Sequence, residues 1–99
     1  MSSENPKRVL LAGLAEVARA LGHGHRLEIL ELLAQGERSV DALAERIGLS
    51  MANASQHLRL MRSTGLPPPR RDGKRLDYRL SAPSVLELTA ALGRVAERN

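Results

Sequence analysis

Apolar residues recur at helical spacing in five stretches of the chain. Leu10, Leu14, Val17 and Leu21 predict a first helix over 6–21, with Pro6 placed near its start. Gly22 and Gly24 are read as the break after it. Leu27, Leu30 and Leu33 set a second helix over 25–34, with Ile29 and Leu32 widening its stripe, and Gly36 stands where a C-terminal cap belongs. Val40, Leu43, Ala44 and Ile47 form an i, i+3, i+4, i+7 stripe; Ser39 caps that helix and Asp41 favours its positive end. Gly48-Leu49 makes a short turn. Ser50 then caps a fourth helix over 51–64, stopped by Gly65, with Ala54, Leu58 and Met61 inward. Val85, Leu88, Leu92 and Val95 predict a last helix over 83–97, with Pro83 near its start.

After Gly65 the period changes. Arg71-Asp72-Gly73-Lys74 contains an Asp-Gly turn signal, and Leu76 to Leu80 alternate as a strand does. This predicts a β-hairpin whose first strand is compromised, because Pro67-Pro68-Pro69 lacks three backbone donors. The fold class is therefore mainly α with a small β-hairpin, in a single domain over 1–99. A short helix, a glycine turn and a longer helix make a helix-turn-helix. With the hairpin and the closing helix, the reading is a winged helix-turn-helix of five helices plus wing.

Composition narrows the function. Ninety-nine residues suffice for one modest core. The 42% apolar and 26% charged fractions suit a folded soluble domain. No apolar run reaches the roughly 18 residues of a membrane span. Met1 to Arg8 lack an apolar targeting core, which predicts a cytoplasmic protein. The absence of cysteine excludes disulfides, thiolate metal sites and thiol redox switching. Tyr78 is the sole aromatic among Phe, Trp and Tyr, which disfavours a single-strand binder that stacks bases on rings.

The net charge of +4 is concentrated. Arg59, Arg62, Arg70, Arg71, Lys74, Arg75 and Arg79 share one window with only two acids, Asp72 and Asp77. That window is +5, and the other 78 residues (eight basic, nine acidic) sum to −1. A near-neutral body with one basic segment is a footprint for a polyanion. At about 100° per residue, the outward face of the fourth helix holds Ala52, Ser55, Gln56 and Arg59, with Asn53 at its flank. Amides bond adenine edges, Ser bonds most edges and Ala touches a thymine methyl. Asp72 is the only acid between Ser50 and Gly73, as a phosphate-facing surface requires. Double-stranded DNA is the expected partner. Ser39, Arg59, Arg62, Arg70, Arg71, Lys74 and Arg75 are assigned to phosphate contact, and Ser55, Gln56 and Asn53 to base reading.

The outer helices carry more apolar surface than one small domain covers. Leu10, Leu14, Val17 and Leu21 on the first, and Val85, Leu88, Leu92 and Val95 on the last, predict a homodimer. His23-x-His25 offers two imidazoles, but a metal site needs three or four ligands and the only other histidine is His57. No metal site is assigned. His25 is placed at the turn, and His57 against the core and hydrogen-bonded. Nothing sets a nucleophile beside a base and no phosphate loop is present, so neither catalysis nor a cofactor is expected.

These residues also resemble the ArsR family of bacterial winged-helix repressors over about 20–80. The likeness is carried by His25 to Leu33, by Ser39-Val40 with Leu43-Ala44, and by Gly48-Leu49-Ser50 with Ser55-Gln56-His57-Leu58. It continues through Gly65-Leu66 and through Arg70 to Lys74 with Tyr78-Arg79-Leu80. It implies a homodimer joined through the first and last helices, bound to an inverted-repeat operator and released by an inducer that the sequence does not identify. Met51 to Gln56 match the family's base-reading positions, with Gln56-His57 where a two-histidine pair is usual. Many members sense metals through cysteines near the position of Ser39; Val40-Asp41 stands there. Others use His and acidic residues on the last helix, where this chain offers only Glu87 and Glu97. The Gly36 to Val40 and Ala52 to His57 stretches resemble a subgroup carrying a rhodanese-like sulfurtransferase domain downstream. Three readings therefore stay open: a DNA-binding repressor, an interaction module that has lost DNA binding, and the regulatory half of such a fusion.

Overall fold

The computed structural model describes residues 5–81 and 83–98. Helix α1 spans Pro6–Leu21, α2 Gly24–Gln35, α3 Val40–Ile47, α4 Met51–Leu60 and α5 Ser84–Arg98. A single 3-10 turn, Arg62–Thr64, follows α4. Three short strands, β1 (Arg38–Ser39), β2 (Arg70–Asp72) and β3 (Arg75–Tyr78), form an antiparallel sheet in the order β1-β3-β2. This is a winged helix-turn-helix. Among the described residues, no helix is long and apolar enough to cross a membrane.

Local chemistry sets the boundaries. Asn5, Ser39 and Ser50 cap α1, α3 and α4, each accepting from a backbone N–H at 2.8–3.1 Å. Gly48 ends α3 at φ 84°, and its N–H and that of Leu49 both donate to the Ala44 carbonyl at 2.9 Å. The left-handed conformation satisfies an orphan carbonyl and turns the chain toward α4. The hairpin loop is Gly73-Lys74, since Asp72 pairs with Arg75. Gly73 at φ 64° holds the first central position, as a type II′ turn requires.

The core is aliphatic. Ile29, Leu30, Leu43, Leu58 and Met61 are fully buried, with Ala54, Val40, Leu32, Leu33 and Leu21 beside them. The predicted inward faces of α3 and α4 are observed: Val40, Leu43, Ala44, Ala54, Leu58 and Met61 are all buried, and Ile47 half-buried.

Four expectations are corrected. The fourth helix does not run to Thr64: the α-helix ends at Leu60, and Met61 caps a tighter turn whose Thr64 hydroxyl donates back to the Met61 carbonyl at 2.6 Å. Gly24 does not break the chain but opens α2, because His23 caps that helix one residue earlier. Leu27 stands at the rim, 38% exposed, while Ile29 and Leu32 carry the core contact. The alternation in β3 is inverted, since Asp77 is buried and Leu76 and Tyr78 are half-buried. Asp77 lies between β1 and β2, opposite Ser39 and Arg70, where an Arg75 bond satisfies its carboxylate.

The shape is extended for its length. The radius of gyration is 15.2 Å, against about 13 Å for a compact domain of 100 residues. The excess comes from the outer helices. Of the sixteen residues of α1 only Ala20 and Leu21 are buried, and of α5 only Val85.

An added Cβ at Gly48 meets no atom within 4 Å, so only the backbone conformation resists it. Gly48→Ala is therefore expected to cost about 1–2 kcal/mol of stability, read as an earlier midpoint in urea unfolding. An unchanged midpoint would contradict the strain assigned to this turn.

Candidate nucleic-acid interface

Helix α4 is buried on one side and open on the other. With Ala54, Leu58 and Met61 inward, Met51, Ala52, Asn53, Gln56 and Arg59 are exposed. Ser55 is half-buried, because 100° of rotation from Ala54 leaves it at the margin rather than opposite. Gln56 and Ala52 are the more outward pair. No acid lies on this helix, and its first turn presents N–H groups beyond the Ser50 cap.

The wing follows α4 in sequence and is anchored to the start of α3. β1 fixes this anchor through the Arg38↔Tyr78 and Ser39↔Asp77 pairs. The Tyr78 ring packs on the core and borders a pocket with Leu58, Arg59, Arg62 and Pro67 to Pro69. The triple proline thus faces the end of α4, and β2 begins only at Arg70. As the edge strand, β2 tolerates proline before it.

The predicted phosphate cations divide. Arg70 donates to both Glu37 oxygens at 2.5 and 2.6 Å. Arg75 bridges Asp77 at 3.1 Å and Asp72 at 3.5 Å. Arg59, Arg62, Arg71 and Lys74 are exposed and have no acidic partner among the described residues. Both carboxylate-bound arginines keep more than half their side-chain surface exposed. The Arg70–Glu37 pair lies at the surface and is worth about 0–1 kcal/mol, so a phosphate can compete for Arg70; Asp77 is buried and would be left unpaired if Arg75 moved away. The Ser39 oxygen caps α3, accepting from the Ala42 N–H at 3.1 Å, and its O–H can still donate to another partner.

Several contributors escaped the sequence reading. Glu37 restrains Arg70 from 33 positions away, a partnership that no local pattern signals. Arg26 is a clamp. It donates to the Ala20 carbonyl at 2.6 Å, to the Arg19 carbonyl at 3.1 Å and to His57 Nδ1 at 3.2 Å. It ties the end of α1 to α4, and its charge complements the helix C-terminus. Arg19, Arg26, Arg59 and Arg62 line one open pocket with a single acid, Glu16, so the basic surface reaches past the window counted in the sequence.

The expected dimer residues also divide. Leu10 (62%), Leu14 (56%), Leu88, Leu92 and Val95 (60%) are exposed. Leu21 and Val85 are buried within the single chain and Val17 is half-buried against its core, so Leu21 and Val85 close the domain rather than present a surface. The three histidines, to which no metal site was assigned from the sequence, come together: His57 lies beside His23 and His25.

Comparison with known proteins agrees with this geometry. A helix-turn-helix domain model matches residues 21–66. The transcriptional regulator Rv0081 of Mycobacterium tuberculosis is 40% identical over 85 residues, covering 85% of this chain and 75% of the relative. The regulator Rv0324 of the same organism is 43% identical over 93 residues, which is 94% of this chain but 41% of the relative's length. The solution structure of the homodimeric winged helix-turn-helix DNA-binding domain of Mb0332 from Mycobacterium bovis superposes with a TM-score of 0.83 at 40% identity. It covers 100% of this chain and 92% of that one. The chain is a winged helix-turn-helix of the transcription-regulator class. It belongs to the ArsR family.

Burial lowers the His57 pKa from its ordinary 6.5, and the nearby His23, Arg26 and His25 lower it further. The folded state therefore favours neutral His57. The stabilisation is complete above pH 6.5 and is lost as pH falls through the depressed folded value, because the unfolded chain takes up the proton first. Urea midpoints measured from pH 7.5 to 5 should fall for the native chain and fall less for His57→Asn. Equal slopes would contradict the assignment.

Proposed function

We propose that this chain is a sequence-specific DNA-binding regulator that acts as a homodimer. The observation that carries the reading is the acid-free outer face of α4, with Ala52, Asn53, Gln56 and Arg59 exposed beside a basic wing. A helix enters the major groove, where each base pair shows a distinct edge. Gln56 and Asn53 supply amides, Ala52 and Met51 apolar contact, and Ser55 a hydroxyl from the margin. Arg59, Arg62, Arg71 and Lys74 meet phosphates directly. Arg70 does so by exchanging its surface carboxylate for phosphate, while Arg75 stays with the buried Asp77.

The dimer reading rests on the outer helices. A 16-residue helix with two buried residues gains little from its own chain. Its exposed Val9, Leu10, Leu11 and Leu14, with Leu88, Leu92 and Val95 of α5, form apolar surface that a second copy would cover. A two-fold pair would set two α4 helices on half-sites about one helical turn apart, roughly 10 bp. The homodimeric state described for the Mb0332 domain supports this arrangement. Regulation of transcription by release from DNA is the corresponding cellular role.

Selection of a duplex from a random pool, followed by anisotropy titration at several salt concentrations, tests the proposal. Gln56→Ala is expected to cost about 1–3 kcal/mol of discrimination at one base position and little on other sequences. Arg71→Ala and Lys74→Ala should each lower the salt slope by about 1, and Arg70→Ala by less. Absence of salt-sensitive binding would favour an interaction module instead. Leu14→Lys is expected to turn a sedimenting dimer into a monomer; a native chain that sediments as a monomer at all concentrations would contradict the two-fold reading.

A further inference from the structure

The junction between α1 and α2 meets α4 through three imidazoles. The ring centroids of His23 and His57 are 4.6 Å apart, those of His23 and His25 5.0 Å, and those of His25 and His57 5.6 Å. One ring nitrogen from each lies within 4.8 Å of the others. His23 is exposed and the other two are half-buried, so the cluster opens to solvent. We infer that His23, His25 and His57 form a binding site for one divalent transition-metal ion of the zinc, nickel or cobalt kind.

The donor set selects that class. Imidazole suits these ions, whereas calcium and magnesium take oxygen ligands. Nitrogens bound at 2.0–2.1 Å in a tetrahedron lie roughly 3.4 Å apart. The observed spread needs a contraction of up to about 1.4 Å, which rotation of exposed and half-exposed rings supplies. Three protein ligands leave a fourth position for water.

Two hydrogen bonds compete with the ion. His23 Nδ1 accepts from the His25 N–H at 3.1 Å, and His57 Nδ1 accepts from Arg26 at 3.2 Å. A neutral imidazole has one lone-pair nitrogen, so a metal on either ring displaces the present donor. The His23 bond lies at the surface and the Arg26 bond is partly exposed, so water can satisfy what is released. The exchange has a structural consequence. It would replace the Arg26 tie between α1 and α4 with a metal tie from the α1–α2 junction to the residue after Gln56.

The test uses the native chain at pH 7.5 and metal alone. One equivalent of zinc should shift the ring nitrogen resonances of all three histidines together, and cobalt should bind one per chain with visible bands of nitrogen ligation. Each of His23→Ala, His25→Ala and His57→Ala should weaken binding by more than the roughly 10–100-fold that loss of a mere supporting group causes. The nuclear magnetic resonance readout on the native chain holds even if a variant is destabilised. Zinc shifts at fewer than three histidines, or a triple variant that binds cobalt as the native chain does, would overturn the site and leave the cluster as ring packing only.

Discussion

The packing of one side of α4 is the constraint on which the rest depends. Ala54, Leu58 and Met61 are buried in an aliphatic core with Leu43 and Ile29. Because an α-helix advances 100° per residue, burying these three fixes what the opposite side presents. Gly48 sets where α4 begins, through a left-handed turn closed on the Ala44 carbonyl. Phase and start together place Gln56 outward and Ser55 at the margin. The open surface is thus a by-product of core packing.

Electrostatics then sorts the exposed cations. Counting charge along the sequence gives one basic segment, but the folded chain makes its members unequal. Glu37, brought across by the β1–β3 pairing, holds Arg70, and the buried Asp77 holds Arg75. Arg71 and Lys74 remain for a polyanion. The wing is therefore an ordered hairpin whose paired arginines hold its strands and whose tip carries the open charge. Arg26 plays a related part at the start of α2, where it joins the end of α1 to the ring after Gln56.

Much of this was legible in the sequence, and for a physical reason. Helical period, caps and glycine positions are local, so α1, α3, the start of α4 and α5 were readable within a residue or two. The inward faces of α3 and α4 followed from the same period. What was hidden depends on residues far apart. β1 has two residues and no alternation of its own. The end of α4 gives way to a 3-10 turn because the Thr64 hydroxyl folds back on Met61. The burial of Asp77 arises only when three strands meet. The histidine cluster joins positions more than thirty residues apart, so His23-x-His25 read alone as one ligand short.

The central claim is that the open side of α4 and the wing tip together meet DNA. Backbone chemical-shift mapping of the native chain, with and without a selected palindromic duplex, examines it residue by residue. The largest changes should cluster at residues 51–59 and 71–75, with the buried positions 29 and 43 nearly still. Changes centred on α2 or on the exposed side of α5, with α4 unmoved, would contradict it.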